Sequence, residues 1–151
     1  MRLLLALDPG ATVGWASFHL PNKERQGYRM GQIRNEALWG LLESTKMPID
    51  DQDVENVHLV VEMFVYRYRP KVDLTPAESV GVIKEWARQN DVKVSWQAPS
   101  QAMYFWTDDR LKDYGLYLPA RPHANDAMRH LLYFLHFSKE NTDFPKLDPK
   151  K

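Results

Sequence analysis

The chain has 151 residues, 20 basic and 20 acidic side chains, no net charge and no cysteine. The length suits one domain whose core needs no covalent staple, and the absence of cysteine excludes disulfides and thiolate zinc sites and points to a reducing, cytoplasmic setting. Zero net charge excludes a uniformly basic nucleic-acid coat but allows acidic and basic groups to be segregated on different faces.

Residues 2–7 form a nearly continuous apolar run that predicts a strand. Asp8 and Pro9 break it too early for a signal peptide or a membrane span. Asp8-Pro9-Gly10-Ala11 reads as a tight turn, residues 14–20 as a second strand, 21–26 as a turn and 27–33 as a third strand, together an antiparallel meander. Asn35 is placed to cap a helix over 36–46, which carries Leu38, Leu41 and Leu42 at helical spacing. After an acidic loop, VHLVVE at 57–62 predicts a central strand covered on both faces. A long loop follows over 63–74. Thr75, Pro76 and Glu78 predict a capping box opening a helix that runs to about residue 90. Residues 92–96 read as a strand, 99–113 as helical, 114–122 as a loop and 125–137 as a final apolar helix. Residues 1–137 are expected to form the single domain, and the polar, Pro-containing segment 138–151 a flexible tail. Strands first and β/α units after predict a mixed sheet with helices packed on its faces.

Asp8, Glu62 and the segment His123-Ala124-Asn125-Asp126 carry the chemistry. Period-two alternation puts Leu4, Ala6 and Asp8 on one face of the first strand and Val60 with Glu62 on one face of the fourth. Each carboxylate ends an apolar run, where a buried charge is costly unless paired or metal-bound. His123 and Asp126, three apart at the start of a helix, share a face. Brought together, these residues would supply three carboxylates and one imidazole, a donor set for hard divalent cations. Each member also has a plainer reading. Asp8 fits a turn, Glu62 a pair with Arg67 or Arg69, His123 a loop or first-turn position, and Asp126 a helix start favoured by the dipole.

LALDPGATVGWA, with Asp8, Gly10, Thr12 and Gly14, resembles the first-strand motif of RuvC-like Holliday-junction resolvases. VVEMF resembles that family's Glu at the end of a hydrophobic strand, and HANDAMRHLLYF its C-terminal acidic motif. The three motifs stand in the family's order. The resemblance implies a ribonuclease H-like α/β fold and a metal-dependent endonuclease for Holliday junctions or other branched DNA. It also implies Asp8, Glu62, His123 and Asp126 as ligands to two Mg²⁺ or Mn²⁺ ions, and a homodimer matching the junction's symmetry. Compact phage-borne members are nearest in type. The chain departs from the family in lacking its Lys- and Gly-rich segment before the last motif, and in carrying Val65 where a wedging Phe often stands.

Beside Glu62, the run Phe64 to Lys71 interleaves Phe64, Tyr66 and Tyr68 with Arg67, Arg69 and Lys71, which suits phosphate contact and base stacking. Arg110 and Lys112 are further DNA-binding candidates, and Arg121 and Arg129 weaker ones. Arg129 and His130 are placed either to orient ligands or to face solvent. Two competing readings are a non-catalytic branched-DNA-binding module of the same fold and an actin-like nucleotide-binding domain. The second is disfavoured by the chain's length and the absence of a Gly-rich phosphate loop.

Overall fold

The apolar run RLLLALD extends as β1 (Arg2–Asp8), buried from Leu3 to Asp8 because both of its faces are covered. It pairs antiparallel with β2 (Thr12–Leu20), which pairs antiparallel with β3 (Tyr28–Arg34). On its other edge β1 runs parallel to β4 (Asn56–Glu62), itself parallel to β5 (Lys93–Gln97). The sheet order is β3-β2-β1-β4-β5, an antiparallel meander extended by parallel strands, as the sequence predicts. The structure is a computed structural model that describes residues 1–20, 27–65 and 71–148. The turn expected at 21–26 lies outside the described residues.

Alternation along the strands makes two cores. Leu4, Ala6, Ala16, Phe18 and Val60 face α5 (Pro122–Phe137), whose Ala127, Met128 and Leu131 fill the space above them. Leu5, Leu7, Val13, Leu59 and Val61 face the other way. They pack on Leu38 and Leu42 of α1 (Leu38–Ser44) and on Ile83 and Trp86 of α2 (Thr75–Gln89). Burying each such leucine contributes about 1.5–3 kcal/mol. Among the described residues no helix is long and apolar enough to cross a membrane.

Four local expectations are corrected. Asn35 caps no helix: Asn35–Ala37 form a 3₁₀ turn and α1 starts only at Leu38. The Asn35 side chain instead accepts the Ser79 hydroxyl at 2.7 Å, and its N–H bonds Ala11 O at 3.0 Å, tying this turn to α2 and to the loop after β1. The Thr75–Glu78 capping box does not form. Leu74 is the N-cap of α2, and Asp73 Oδ1, two residues before Thr75, takes the Thr75 N–H at 2.9 Å. The helix expected over 99–113 breaks into α3 (Pro99–Phe105) and α4 (Asp108–Asp113) because Thr107 turns the chain and caps α4 with its own hydroxyl. Finally, α5 begins at Pro122, three residues earlier than expected, with the proline in its first turn, where a missing N–H costs nothing.

Residues 138–148, within the expected tail, contain no helix or strand. They nonetheless return to the domain. Phe144 is buried against Phe18, and Leu147 exchanges hydrogen bonds with α5 through Leu135 O and His136 Nδ1.

Candidate active site

Strand register draws a line of residues across one end of the sheet. Gln32, Gly14 and Asp8 are paired on β3, β2 and β1. Leu7 pairs with Val61, so Asp8 and Glu62 come next on their neighbouring strands, and Glu62 pairs with Gln97 of β5. All lie on the face that α5 crosses. Asp8 and Glu62 thus point to the same side of the sheet, as their alternation predicts.

The first turn of α5 sits directly on this line. Gly14 makes that approach possible: a Cβ there would lie 1.8 Å from the His123 carbonyl oxygen. Gln32 Oε1 then accepts the N–H groups of His123 (2.9 Å) and Ala124 (3.3 Å), two of the donors that a helix start leaves unpaired. With the helix held so, His123 Nδ1 meets Asp8 Oδ2 at 3.0 Å. One turn on, Asp126 pairs with Arg129. Arg129, only 7% exposed, also pairs with Asp108 and donates to Trp106 O at 2.7 Å, so it locks α4 to α5. A turn beyond Asp126, the fully buried His130 places Nε2 2.7 Å from Glu62 Oε2 and Nδ1 2.8 Å from Gln97 Oε1.

Crowding shows in the electrostatics. Burial first, then the charge of Glu62, pushes the Asp8 carboxyl up to about 7; Asp126 adds to the rise and the His123 hydrogen bond opposes it. Burial also raises Asp126, opposed by Arg129 and reinforced by Glu62. Three carboxylates on three elements therefore feel one another, and a bound cation would relieve that repulsion. The donor set, oxygen-rich with one imidazole, fits a hard divalent ion. Each carboxylate is at present turned to a basic partner, and among the described residues no group of three or more His, Asp or Glu side chains is arranged to hold an ion as it stands.

Beside Glu62 opens a cleft of about 560 Å³ whose walls include Pro9, Phe64, Val65, Lys71 and Pro99. The structure thus brings Phe64 and Lys71 to the candidate site. Tyr66, Arg67, Tyr68 and Arg69 lie outside the described residues. Arg110 and Lys112 sit on α4 and fold over their own surface: the Arg110 guanidinium lies 4.1 Å from the Phe105 ring centre and the Lys112 ammonium 4.8 Å from that of Tyr117. Gln32 and Gln97 go unmarked in the sequence. A lone glutamine in a strand carries no local signal of the helix it will meet.

No family model and no curated protein matches the chain. Among solved structures, RuvC of Thermus thermophilus superposes with a TM-score of 0.58 at 15% identity, over 85% of this chain and 90% of RuvC. The fold is that of RuvC. The same enzyme in complex with a Holliday junction substrate superposes with a TM-score of 0.57 at 14% identity, over 86% of this chain and 90% of that one. The shared architecture is a ribonuclease H-like sheet flanked by helices, in agreement with the fold expected from the sequence.

Proposed function

We propose that the chain is a divalent-metal-dependent endonuclease that hydrolyses phosphodiesters in Holliday junctions or other branched DNA, acting as a cytoplasmic homodimer. The observation that carries this reading is the meeting of Asp8, Glu62 and Asp126 from three distant segments at one end of a RuvC-like sheet, close enough for each to perturb another. Asp8, Glu62, His123 and Asp126 would hold Mg²⁺ or Mn²⁺, two ions per site, which supply charge neutralisation and an activated water.

The chain's own residues do the rest. Gln32 and Gly14 fix where α5 starts, and so where His123 and Asp126 stand. Arg129 holds Asp126 from behind. His123, with a side chain 44% exposed, is free to leave Asp8. Phe64 offers an aromatic wall and Lys71 a cation for the DNA backbone in the cleft. Tyr66, Arg67, Tyr68 and Arg69 of the same run in the sequence, and Arg110 and Lys112 of α4, are the further DNA-binding residues of this reading. A two-fold dimer would present two such sites to the paired strands of a junction.

The test is cleavage of labelled four-way, Y-shaped and linear DNA with and without Mg²⁺. Wild type should cut branched DNA only with the metal, and Asp8→Asn should bind without cutting; cutting retained by Asp8→Asn would defeat the assignment. The pairing of each carboxylate with a basic side chain favours a second reading, a non-catalytic junction-binding module. That reading predicts binding without cleavage by wild type at every metal concentration.

A further inference from the structure

We propose that His130, braced by Gln97, is a positioning residue that fixes the Glu62 carboxylate and reserves its Oε1 for the ion site. This rests on the reading of Glu62 as a metal ligand. Oε2 of Glu62 is engaged by His130 Nε2 at 2.7 Å, whereas Oε1 has no hydrogen-bond partner among the described residues, on a side chain that lines the cleft.

His130 has no freedom to release that oxygen. Its side chain is 0% exposed. The Gln97 amide nitrogen donates to the backbone carbonyl of His130 at 3.2 Å, so the Gln97 amide oxygen must point at His130 Nδ1, 2.8 Å away. Nδ1 is therefore a donor, and because an ionised carboxylate only accepts, Nε2 donates to Glu62 as well: both ring nitrogens carry a proton and both are committed. Gln97 is in turn the ladder partner of Glu62. The three residues close a ring: Glu62 carboxylate, His130 imidazole, Gln97 amide, and the β4–β5 backbone back to Glu62. Phe134, Met128 and Leu131 on the same helix are buried in the core, which holds this stretch of α5 against the sheet. The pair at Asp8 differs. Its partner His123 is nearly half exposed and can swing away, so of the two carboxylate–histidine pairs one can open and the other cannot. A hydrogen-bonded partner behind a ligand carboxylate sets its orientation and its affinity for the ion.

The proposal is tested by Mn²⁺ titration of the full chain, reading free Mn²⁺ by electron paramagnetic resonance, with thermal melts as a control for folding. Wild type, Asp8→Asn, His130→Leu, His130→Gln and Gln97→Leu are compared. His130→Leu should weaken Mn²⁺ binding about tenfold or more. His130→Gln, whose amide nitrogen reaches towards the place of Nε2, should recover most of the loss, and Gln97→Leu should weaken binding to an intermediate degree. Wild-type affinity in a folded His130→Leu overturns the proposal, as do equal losses in His130→Leu and His130→Gln. Should His130→Leu fail to fold, unchanged affinity in Gln97→Leu overturns the bracing role by itself. A wild type whose Mn²⁺ binding is absent, or is indifferent to Asp8→Asn, removes the metal reading of the site and this inference with it.

Discussion

Gly14 and His123 touch through their backbones: a Cβ on Gly14 would stand 1.8 Å from the His123 carbonyl oxygen and 2.2 Å from its carbonyl carbon. Neither group is the end of a flexible side chain, so the collision would push the first turn of α5 off the sheet. Gly14→Ala should cost about 1–3 kcal/mol, as overpacked cores do. It should also separate His123 and Asp126 from Asp8. Urea melts give the first quantity, and metal-induced stabilisation the second; a folded Gly14→Ala protein with unchanged response to Mg²⁺ would show that the close approach does not position the site.

The acidic crowding predicts a pH signature without metal. Burial and the neighbouring Glu62 raise the Asp8 carboxyl from 3.8 to about 7. Folded protein therefore keeps a proton that the unfolded chain has lost, and the stability this contributes is full below the unfolded value and disappears as pH rises through about 7. His58, lowered by burial to about 4, acts with the opposite sign, losing stability as pH falls from 6.5 to 4. Comparison of wild type with Asp8→Asn isolates the first effect. In EDTA the variant should gain stability over wild type as pH rises from 4 to 7, by at most about 1.4 kcal/mol per pH unit. Denaturant melts at half-unit pH steps would reveal it, and parallel curves for the two proteins would contradict it.

Lys71 and Phe64 line the cleft beside Glu62. Lys71→Ala should weaken binding to all branched DNAs to a similar extent and reduce the slope of log affinity against log salt by about one. Phe64→Ala should weaken binding chiefly where the substrate offers an unpaired base, since stacking contributes about 1–3 kcal/mol per base. Fluorescence anisotropy across a salt series separates the two effects.

Much of this site was legible because period-two alternation decides which face a strand residue takes. Asp8 and Glu62 each end an apolar run, and that suffices to send both to the α5 side. Three-residue spacing likewise put His123 and Asp126 on one helix face. What remained hidden depends on contacts between distant segments. Gln32 caps α5 across 91 residues of chain, and Asn35, a good local cap by composition, is taken by Ser79 on another helix. Asp73 and Thr75 compete for the start of α2, and nothing local decides between them. His130 and Arg129 follow Asp126 so closely that both a buried and an exposed role fit the sequence; contacts with α4 for Arg129 and with β4 and β5 for His130 bury both.

The segment after α5 supplies a further prediction. Phe144 lies in a stretch without helix or strand yet is only 7% exposed and meets Phe18 edge-on at 6.4 Å. Phe144→Ala should cost about 3 kcal/mol, near the lower end for a buried phenylalanine. It should leave junction cleavage by the folded fraction unchanged. A loss below about 0.5 kcal/mol, the range of ordinary surface substitutions, would mean that the segment does not dock in solution.

The most direct measurement is anomalous diffraction from crystals of the protein soaked in Mn²⁺. Two peaks between the carboxylates of Asp8, Glu62 and Asp126, with His123 turned from Asp8 towards one of them, are the predicted result. Crystals in which Mn²⁺ avoids this end of the sheet, with the Asp8–His123 pair intact at saturating metal, would contradict the account.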